Sequence, residues 1–343
     1  MTDFAIKLQQ WFTVNKRELP WRMVNDPYKV WLSEIILQQT QVVQGESYYL
    51  KFVDSFPTVF DLASASEDRV LRRWQGLGYY SRARNLHAAA KTIVDDYNGV
   101  FPNTFNDIIK LKGVGPYTAA AIASICFDEP CAVVDGNVFR FISRLKGIST
   151  AIDSTVGKKE FSQIADELLD KENAGEHNQA MMEMGALVCR PSNPLCHDCP
   201  FNTDCVALAS KQIGNLPYKE KRTKQRARYL HFFLIRNENK IVLEKRNAKD
   251  IWKNLYQLPL KETRSAKKIK SFDLRESQPL FVKKYKHILS HQILYASFYF
   301  ADKSVLSQLE GEYFDVDLEL LDDYAFPQLV VNFLSDVGVV KTD

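Results

Sequence analysis

Long apolar runs are missing from this 343-residue chain: none approaches the ~18 residues that a bilayer-spanning helix needs, which excludes a helical membrane protein. The opening stretch, MTDFAIKLQQWFTVNKRELPW, is amphipathic and lacks the apolar core and small-residue cleavage site of a secretory leader. A cytoplasmic location is expected. Cysteine is scarce, at six residues, and in a reducing compartment these are not disulfide staples. None is needed, because 45% hydrophobic and 25% charged residues suit an ordinary globular chain with its own core. At ~150 residues per domain the length allows two or three domains. Charge of one sign is not in large excess either, the net being +3, yet KEKRTKQRAR (219–228) gathers Lys and Arg into one stretch. Such a run is either a solvated linker or a contact to a polyanion.

What cysteine there is lies bunched. Cys189, Cys196, Cys199 and Cys205 fall in CRPSNPLCHDCPFNTDC with spacing C-x6-C-x2-C-x5-C, on a loop stiffened by Pro191, Pro194 and Pro200. Four thiolates so close suit a tetrahedral zinc or a [4Fe–4S] cluster, and spacing alone does not choose between them. The chain has no second set of cysteines to receive electrons, so a structural role is favoured over electron transfer. Cys126 and Cys131 sit in apolar surroundings and read as core residues.

Upstream, FPNTFNDIIKLKGVGPYTAAAIASICF (101–127) reads as helix, hairpin, helix. Thr104 is the expected N-cap, the first helix runs to about Lys110, and the second begins near Tyr117. Gly113 and Gly115 let the turn adopt φ > 0 and bring backbone N–H groups to an anion at the following helix N-terminus. A plain helical corner is the alternative. GLGYY (76–80), before SRARNLHAAAKTI, is a weaker echo of the same device. Farther on, YLHFFLIRNENKIVLEKR (229–246) reads as two strands joined at NENK, ILYASFYF (293–300) as another, and a helix is expected near Pro327.

LKGVG, VVDGNV with Asp135, and the four-cysteine loop together resemble the helix-hairpin-helix base-excision glycosylases of the endonuclease III superfamily. LPWR (19–22), DPYKVWLSEIILQQTQV (26–42) and GLGYYSRARNL (76–86) extend the resemblance to the adenine-specific members. The motifs cover the first two-thirds of the chain. The resemblance implies an all-α helix-hairpin-helix domain over 1–210 that includes a [4Fe–4S] loop at 189–205, a basic linker at 211–228, and an α+β Nudix-like domain at 229–343. It also implies a cluster loop that sets Arg190 beside the DNA backbone.

Chemically, releasing adenine needs an acid at the base and a carboxylate near the sugar, where positive charge develops. The resemblance assigns the acid to Glu34, expected on a helix from Val30 to Gln41 among Val30, Trp31 and Leu37, neighbours that raise a carboxyl pKa. Without it, Glu34 would read as a surface residue near a helix start. Asp135 would be an N-cap and, by resemblance, the group that stabilises the oxocarbenium-like sugar, with Asn137 and Tyr117 in support. Relatives that cut the strand carry a Schiff-base lysine where this chain has Tyr117, which implies a monofunctional glycosylase. By resemblance Gln39 and Tyr79 enter the duplex near the partner base, and Trp21, Arg22 and Gln179 line the adenine pocket.

The C-terminal third resembles a Nudix-like domain that recognises 8-oxoguanine, without the glycine and acidic run of a Nudix hydrolase. Ser290 and His291 in HILSHQ (287–292) match the recognition loop, with Leu289 where the family has phenylalanine. Lys112, in place of the usual hairpin proline, is a second departure. The expected partner is double-stranded DNA bearing A opposite 8-oxoguanine or G, bound by a nucleoid-associated monomer with no membrane contact. A related glycosylase/lyase acting on another base, and a non-catalytic iron–sulfur DNA-binding protein, stay open as alternatives.

Overall fold

Short polar caps and prolines decide where the helices of this chain begin. In the computed structural model, which describes residues 2–220, 225–247, 250–265 and 280–340, α1 (Asp3–Asn15) starts at the cap Thr2 and α2 (Pro27–Leu37) at Asp26, with Pro27 in the first turn. The helices α3 (Val42–Ser55), α4 (Val59–Ser64), α5 (Glu67–Trp74), α6 (Ser81–Tyr97) and α7 (Phe105–Ile108) follow, then α8 (Pro116–Phe127), α9 (Gly136–Lys146), α10 (Thr155–Leu168), α11 (Ala174–Leu187) and α12 (Val206–Ala209). The chain then turns to strands.

Residues group into two compact units, Met1–Ala63 with Ala88–Arg222, and Ser64–His87 with Thr223–Asp343. The first unit is helical. One buried cluster draws Leu8 and Phe12 of α1, Phe141 and Ile142 of α9, Phe161 of α10, Met184 of α11 and Phe201 around one centre.

The second unit is built on a mixed sheet. Its strands are β1 (Arg226–Asn237), β2 (Lys240–Lys245), β3 (Tyr256–Gln257), β4 (Leu260–Thr263), β5 (Leu280–Ile288), β6 (Gln292–Ala301) and β7 (Tyr313–Asp317), in the order β3-β2-β1-β6-β5, with β4 also beside β1 and β7 beside β2. β1 runs parallel to β6, with Phe232 opposite Phe298. Those two rings stack at 4.8 Å, and Phe333 of α13 (Gln328–Asp336) stacks on Phe298 at 4.2 Å. α13 therefore covers that face, while Val305 of the 3₁₀ turn Lys303–Gln308 packs with Phe233 and Tyr299 on the other.

Several expectations shift. The helix carrying Glu34 begins at Pro27 rather than Val30 and ends at Leu37 rather than Gln41, because Gln38 leaves helical geometry and Gln39 turns to φ +56°. Thr104 does cap α7, accepting from the Asp107 N–H, but the helix proper ends at Ile108. In the hairpin Gly113 has φ +82°, whereas Gly115 sits at φ −101° in extended backbone as the N-cap of α8. The basic stretch is also not all linker: Leu216 accepts from the Arg144 guanidinium at 3.0 Å, and Arg226 and Arg228 already lie in β1. Residues 221–224 lie outside the described ones. The sequence division placed 64–87 in the first domain, but here it packs with the C-terminal unit.

Candidate active site

Glu34 is the one carboxylate on α2, and the helix buries it to 9% exposure. It opens on a cleft in the first unit walled by Val30, Ser33 and Leu37 of α2, Tyr117 and Ile125 of α8, Asn137 of α9, and Gln179 and Met182 of α11, together with Asp135, Trp21 and Arg22. Tyr117 donates its phenol proton to Glu34 Oε2 at 2.7 Å. Burial pushes the Glu34 carboxyl up to about 7; the Asp135 charge adds to the rise, while the Tyr117 bond and Arg22 oppose it. Burial also lifts the Tyr117 phenol well above its ordinary range, so it stays a neutral donor.

Asp135 caps α9. Its Oδ1 accepts from the N–H groups of Asn137 (2.9 Å) and Val138 (2.8 Å), and its Oδ2 from the Asn137 side-chain amide at 2.7 Å. Burial raises this carboxyl against those three bonds. Asn137 is oriented in turn by Arg140, whose guanidinium donates to Asn137 Oδ1 at 2.9 Å, to the Gly185 carbonyl at 2.7 Å and to the Cys189 carbonyl at 2.6 Å. The cleft thus holds two carboxyl groups in different states of hydrogen bonding: one faces a phenol and apolar walls, the other is pinned at a helix N-terminus. No lysine lines it among the described residues.

Trp21, on the 3₁₀ turn Pro20–Arg22, is buried edge-on against Tyr49 at 5.2 Å. Arg22 reaches the cleft, but its guanidinium is held by Glu183, with contacts of 3.1 and 2.9 Å. Arg17 grips the same carboxylate at 2.8 and 2.6 Å. Burial drives the Glu183 carboxyl up, and the bonds from Arg17 and Arg22 outweigh it, carrying it down to about 2. Sequence reading missed Glu183. Its signal was an isolated acid inside the apolar helix AMMEMGAL, which must be paired if buried.

Cys189, Cys196, Cys199 and Cys205 line a single small cavity with Phe141, Arg144, Val188, Pro194 and Phe201. Arg144 approaches Cys189 Sγ at 3.5 Å, and Cys205 Sγ–H points to the Arg144 carbonyl at 3.4 Å. Among the described residues no group of three or more His, Cys, Asp or Glu is arranged to hold a metal ion. The all-thiol donor set around one apolar cavity nevertheless fits a multi-iron cluster, whose ligands stand farther apart than those of a single ion. Cys126 and Cys131 lie away from it and are half-buried, and burial raises both thiols.

The remaining residues fall elsewhere. Gln39 is exposed in left-handed backbone just past α2 and does not line the cleft. Gly113 and Gly115 lead into α8, where a Cβ on Gly115 would meet nothing within 4 Å. In the second unit Tyr79, at φ +47°, donates to Ser290 Oγ at 3.2 Å, and Ser290 Oγ lies 3.2 Å from His291 Nδ1 on the loop between β5 and β6. The structure therefore joins Tyr79 to Ser290, 211 residues away, and through Ser290 to His291.

A model of the HhH-GPD superfamily of base excision DNA repair proteins matches residues 32–169, and a NUDIX domain model matches 231–336. The adenine DNA glycosylase of Buchnera aphidicola subsp. Baizongia pistaciae is 35% identical over 283 residues, covering 82% of this chain and 80% of its own length. The chain belongs to the adenine DNA glycosylase family. Human adenine DNA glycosylase is 43% identical over 239 residues, 64% of this chain but only 44% of that longer protein. A solved thermostable thymine-DNA glycosylase covers 60% of this chain and 95% of its own at 27% identity and a TM-score of 0.56. A trapped endonuclease III–DNA intermediate, at 22% identity and a TM-score of 0.53 over 60% of this chain and 94% of its own, shares the fold. The expected resemblance and fold class, a helix-hairpin-helix domain followed by a Nudix-like α+β domain, are borne out.

Proposed function

We propose that the protein is a monofunctional adenine DNA glycosylase that flips adenine out of duplex DNA and hydrolyses its bond to deoxyribose, acting on A opposite 8-oxoguanine or G. The observation that carries this reading is the cleft itself, with Glu34 raised to about 7 against Tyr117 and with Asp135 beside it. A carboxyl half-protonated at neutral pH is matched to general acid work. Glu34 gives its proton to a ring nitrogen of adenine as the C1′–N bond breaks and the electron pair leaves with the base. Asp135, ionised, faces the positive charge that grows on the sugar. Water then adds to C1′ and gives its extra proton to the Glu34 carboxylate, restoring the acid and leaving an abasic site, formally a glycoside hydrolysis. Asn137 and Tyr117 hold the two carboxyl groups in these roles. Trp21, Arg22 and Gln179 shape the space for the base.

The absence of lysine from the described cleft lining supports hydrolysis over a Schiff-base lyase. The open flank of Gly115 and the start of α8 suit a DNA phosphate, Gly113 supplying the turn. Gln39, exposed and at φ +56° just past α2, would by the family resemblance enter the gap left by the flipped base. The opposite base is read by Tyr79, Ser290 and His291, whose hydroxyl and ring groups can bond the edge that separates 8-oxoguanine from guanine. Leu289 wedges where an aromatic would stack. The four cysteines would hold a [4Fe–4S] cluster, which would brace the loop that carries Arg190. The enzyme would act as a monomer on nucleoid DNA; among the described residues no helix is long and apolar enough to cross a membrane.

The test is incubation with duplexes carrying A opposite 8-oxoguanine, G, C or T, measuring free adenine and abasic sites. Adenine release strongest opposite 8-oxoguanine is expected. Mispair binding without base release would indicate a DNA-binding protein instead, and release of an oxidised pyrimidine or strand cleavage would indicate a different glycosylase.

A further inference from the structure

We propose that Gln75 and Tyr80 are positioning residues that fasten the Gly76–Tyr80 turn to the backbone of Phe326, so that the C-terminal residues set the conformation of Tyr79. Its consequence for base recognition rests on the reading of Tyr79 and Ser290 given above. A bulky residue at φ +47° is strained unless its surroundings hold it there. Within the turn, the Trp74 indole N–H donates to the Gly78 carbonyl at 3.0 Å, and Arg82 donates to the Leu77 and Gly78 carbonyls at 3.3 Å while lying 5.8 Å from the Tyr79 ring centre. These contacts shape the turn but do not place it.

A direct anchor for the turn itself lies more than two hundred positions downstream, in addition to the bond from Arg84, just past the turn, to the Lys253 carbonyl at 2.9 Å. The Phe326 N–H donates to Gln75 Oε1 at 2.8 Å, and the Tyr80 phenol donates to the Phe326 carbonyl at 3.3 Å. Both backbone groups of Phe326 are thus taken by side chains that flank the turn. The same phenol oxygen accepts from the Gly76 N–H at 3.4 Å and so draws the two ends of the turn together. Phe326 cannot drift, since the Tyr256 N–H of β3 donates to the preceding Ala325 carbonyl at 2.8 Å and the next residue, Pro327, caps α13. Upstream, α5 is held to the same body: Asp68 accepts from Lys245 at 2.8 and 2.9 Å and from the Tyr256 phenol at 2.9 Å, Glu67 from Asn254, and Arg72 donates to the Asp322 carbonyl at 2.6 Å. The 3.2 Å contact between Tyr79 and Ser290 is therefore a contact within one compact unit, although its partners come from distant parts of the chain.

The experiment compares full-length wild type with Gln75→Leu, Tyr80→Phe and Gln75→Glu, the last retaining an acceptor oxygen. Amide exchange at Gly76, Leu77 and Arg82 reads the turn directly, and the ratio of affinities for A opposite 8-oxoguanine and A opposite G reads its effect. The clamp predicts exchange at least tenfold faster at those amides in Gln75→Leu and Tyr80→Phe, an affinity ratio that falls about tenfold, an excision rate at saturating enzyme within twofold of wild type, and recovery of both readouts in Gln75→Glu. Unchanged exchange in both Gln75→Leu and Tyr80→Phe would overturn the clamp, as would general loss of protection through the domain or failure of Gln75→Glu to recover. Tyr79→Ala separates the two ideas: if it leaves the affinity ratio of wild type intact, base reading by Tyr79 is wrong while the exchange data still decide the clamp.

Discussion

A carboxyl that keeps its proton near neutrality must be shielded from water, and Glu34 destabilises the fold for that reason. Its pKa rises from 4.5 to about 7 on folding, so the folded state holds the proton more tightly. The penalty is absent below pH 4.5, grows between 4.5 and 7, and is complete above 7, where it reaches roughly 3 kcal/mol. Glu34→Gln keeps the acceptor for Tyr117 and removes the charge. It should lower adenine release by ~10² to 10⁴-fold, and yet unfold at a higher temperature than wild type at pH 8, with the gap closing toward pH 4.5. Thermal melts at the two pH values check this, and equal midpoints at pH 8 would contradict the buried-acid picture. In wild type, single-turnover excision should decline as pH rises through about 7. Asp135→Asn should abolish a comparable share of the rate, because a neutral amide cannot offset charge on the sugar; a rate within a few-fold of wild type would leave Asp135 only its capping role. Glu34, Asp135 and Tyr117 could be named from their motifs. Glu183 left only the signal of a lone acid in an apolar helix, and its partners could not be named, since only folding brings Arg17 and Arg22 to α11; Glu183→Ala should cost about 3 to 5 kcal/mol in denaturant titrations by stranding two guanidinium groups.

Elements set the spacing that these residues need. α9 and α11 approach so closely that a Cβ on Gly185 would lie 2.5 Å from Asn137 Cβ and 2.7 Å from its carbonyl oxygen. Gly185→Ala must therefore push the helices apart or displace the start of α9, at about 1 to 3 kcal/mol. The same shift moves Asn137 and the Asp135 cap, so single-turnover excision should drop more than tenfold at a temperature where the variant remains folded. A variant that is destabilised but excises at the wild-type rate would show that the α9–α11 spacing is not part of the site. The helix-hairpin-helix pattern was legible because glycine, proline and capping residues act locally: Thr104, Gly113 and Pro116 punctuate the backbone whatever surrounds them. The end of α2 was not. QQT carries no helix breaker, and the turn to φ +56° at Gln39 is imposed where Gln38 reaches across to Thr118 at 3.3 Å.

At the scale of the whole molecule, the C-terminal residues complete a body that includes Ser64–His87. A fragment ending at Arg222 would keep Glu34, Asp135, the hairpin and the cysteine loop, and it should still release adenine. It would also strip α5 and the Tyr79 turn of Lys245, Tyr256, Asp322 and Phe326. Amide exchange across Glu67–Tyr80 should then approach that of an unsupported segment, and preference for 8-oxoguanine over guanine should shrink by more than Ser290→Ala alone achieves. A fragment with wild-type protection there would mean that the first unit can order this segment by itself.

The sequence by itself determined the helical first part and the stranded last part, the caps and breaks of the hairpin, and the gathering of four thiols on one loop. Each of these follows from residues within a few positions of one another. Pairings over long separations were decided only by the tertiary structure: Tyr117 with Glu34, 83 residues apart, Glu183 with Arg17 and Arg22, and Tyr79 with Ser290. The division of the chain belongs to this second class. Composition does not mark Ser64–His87 as part of the C-terminal body, because what assigns it there is a set of hydrogen bonds and ion pairs from Glu67, Asp68, Arg72, Gln75 and Tyr80 to residues at least 177 positions away, and such partners exist only once the sheet and α13 have formed.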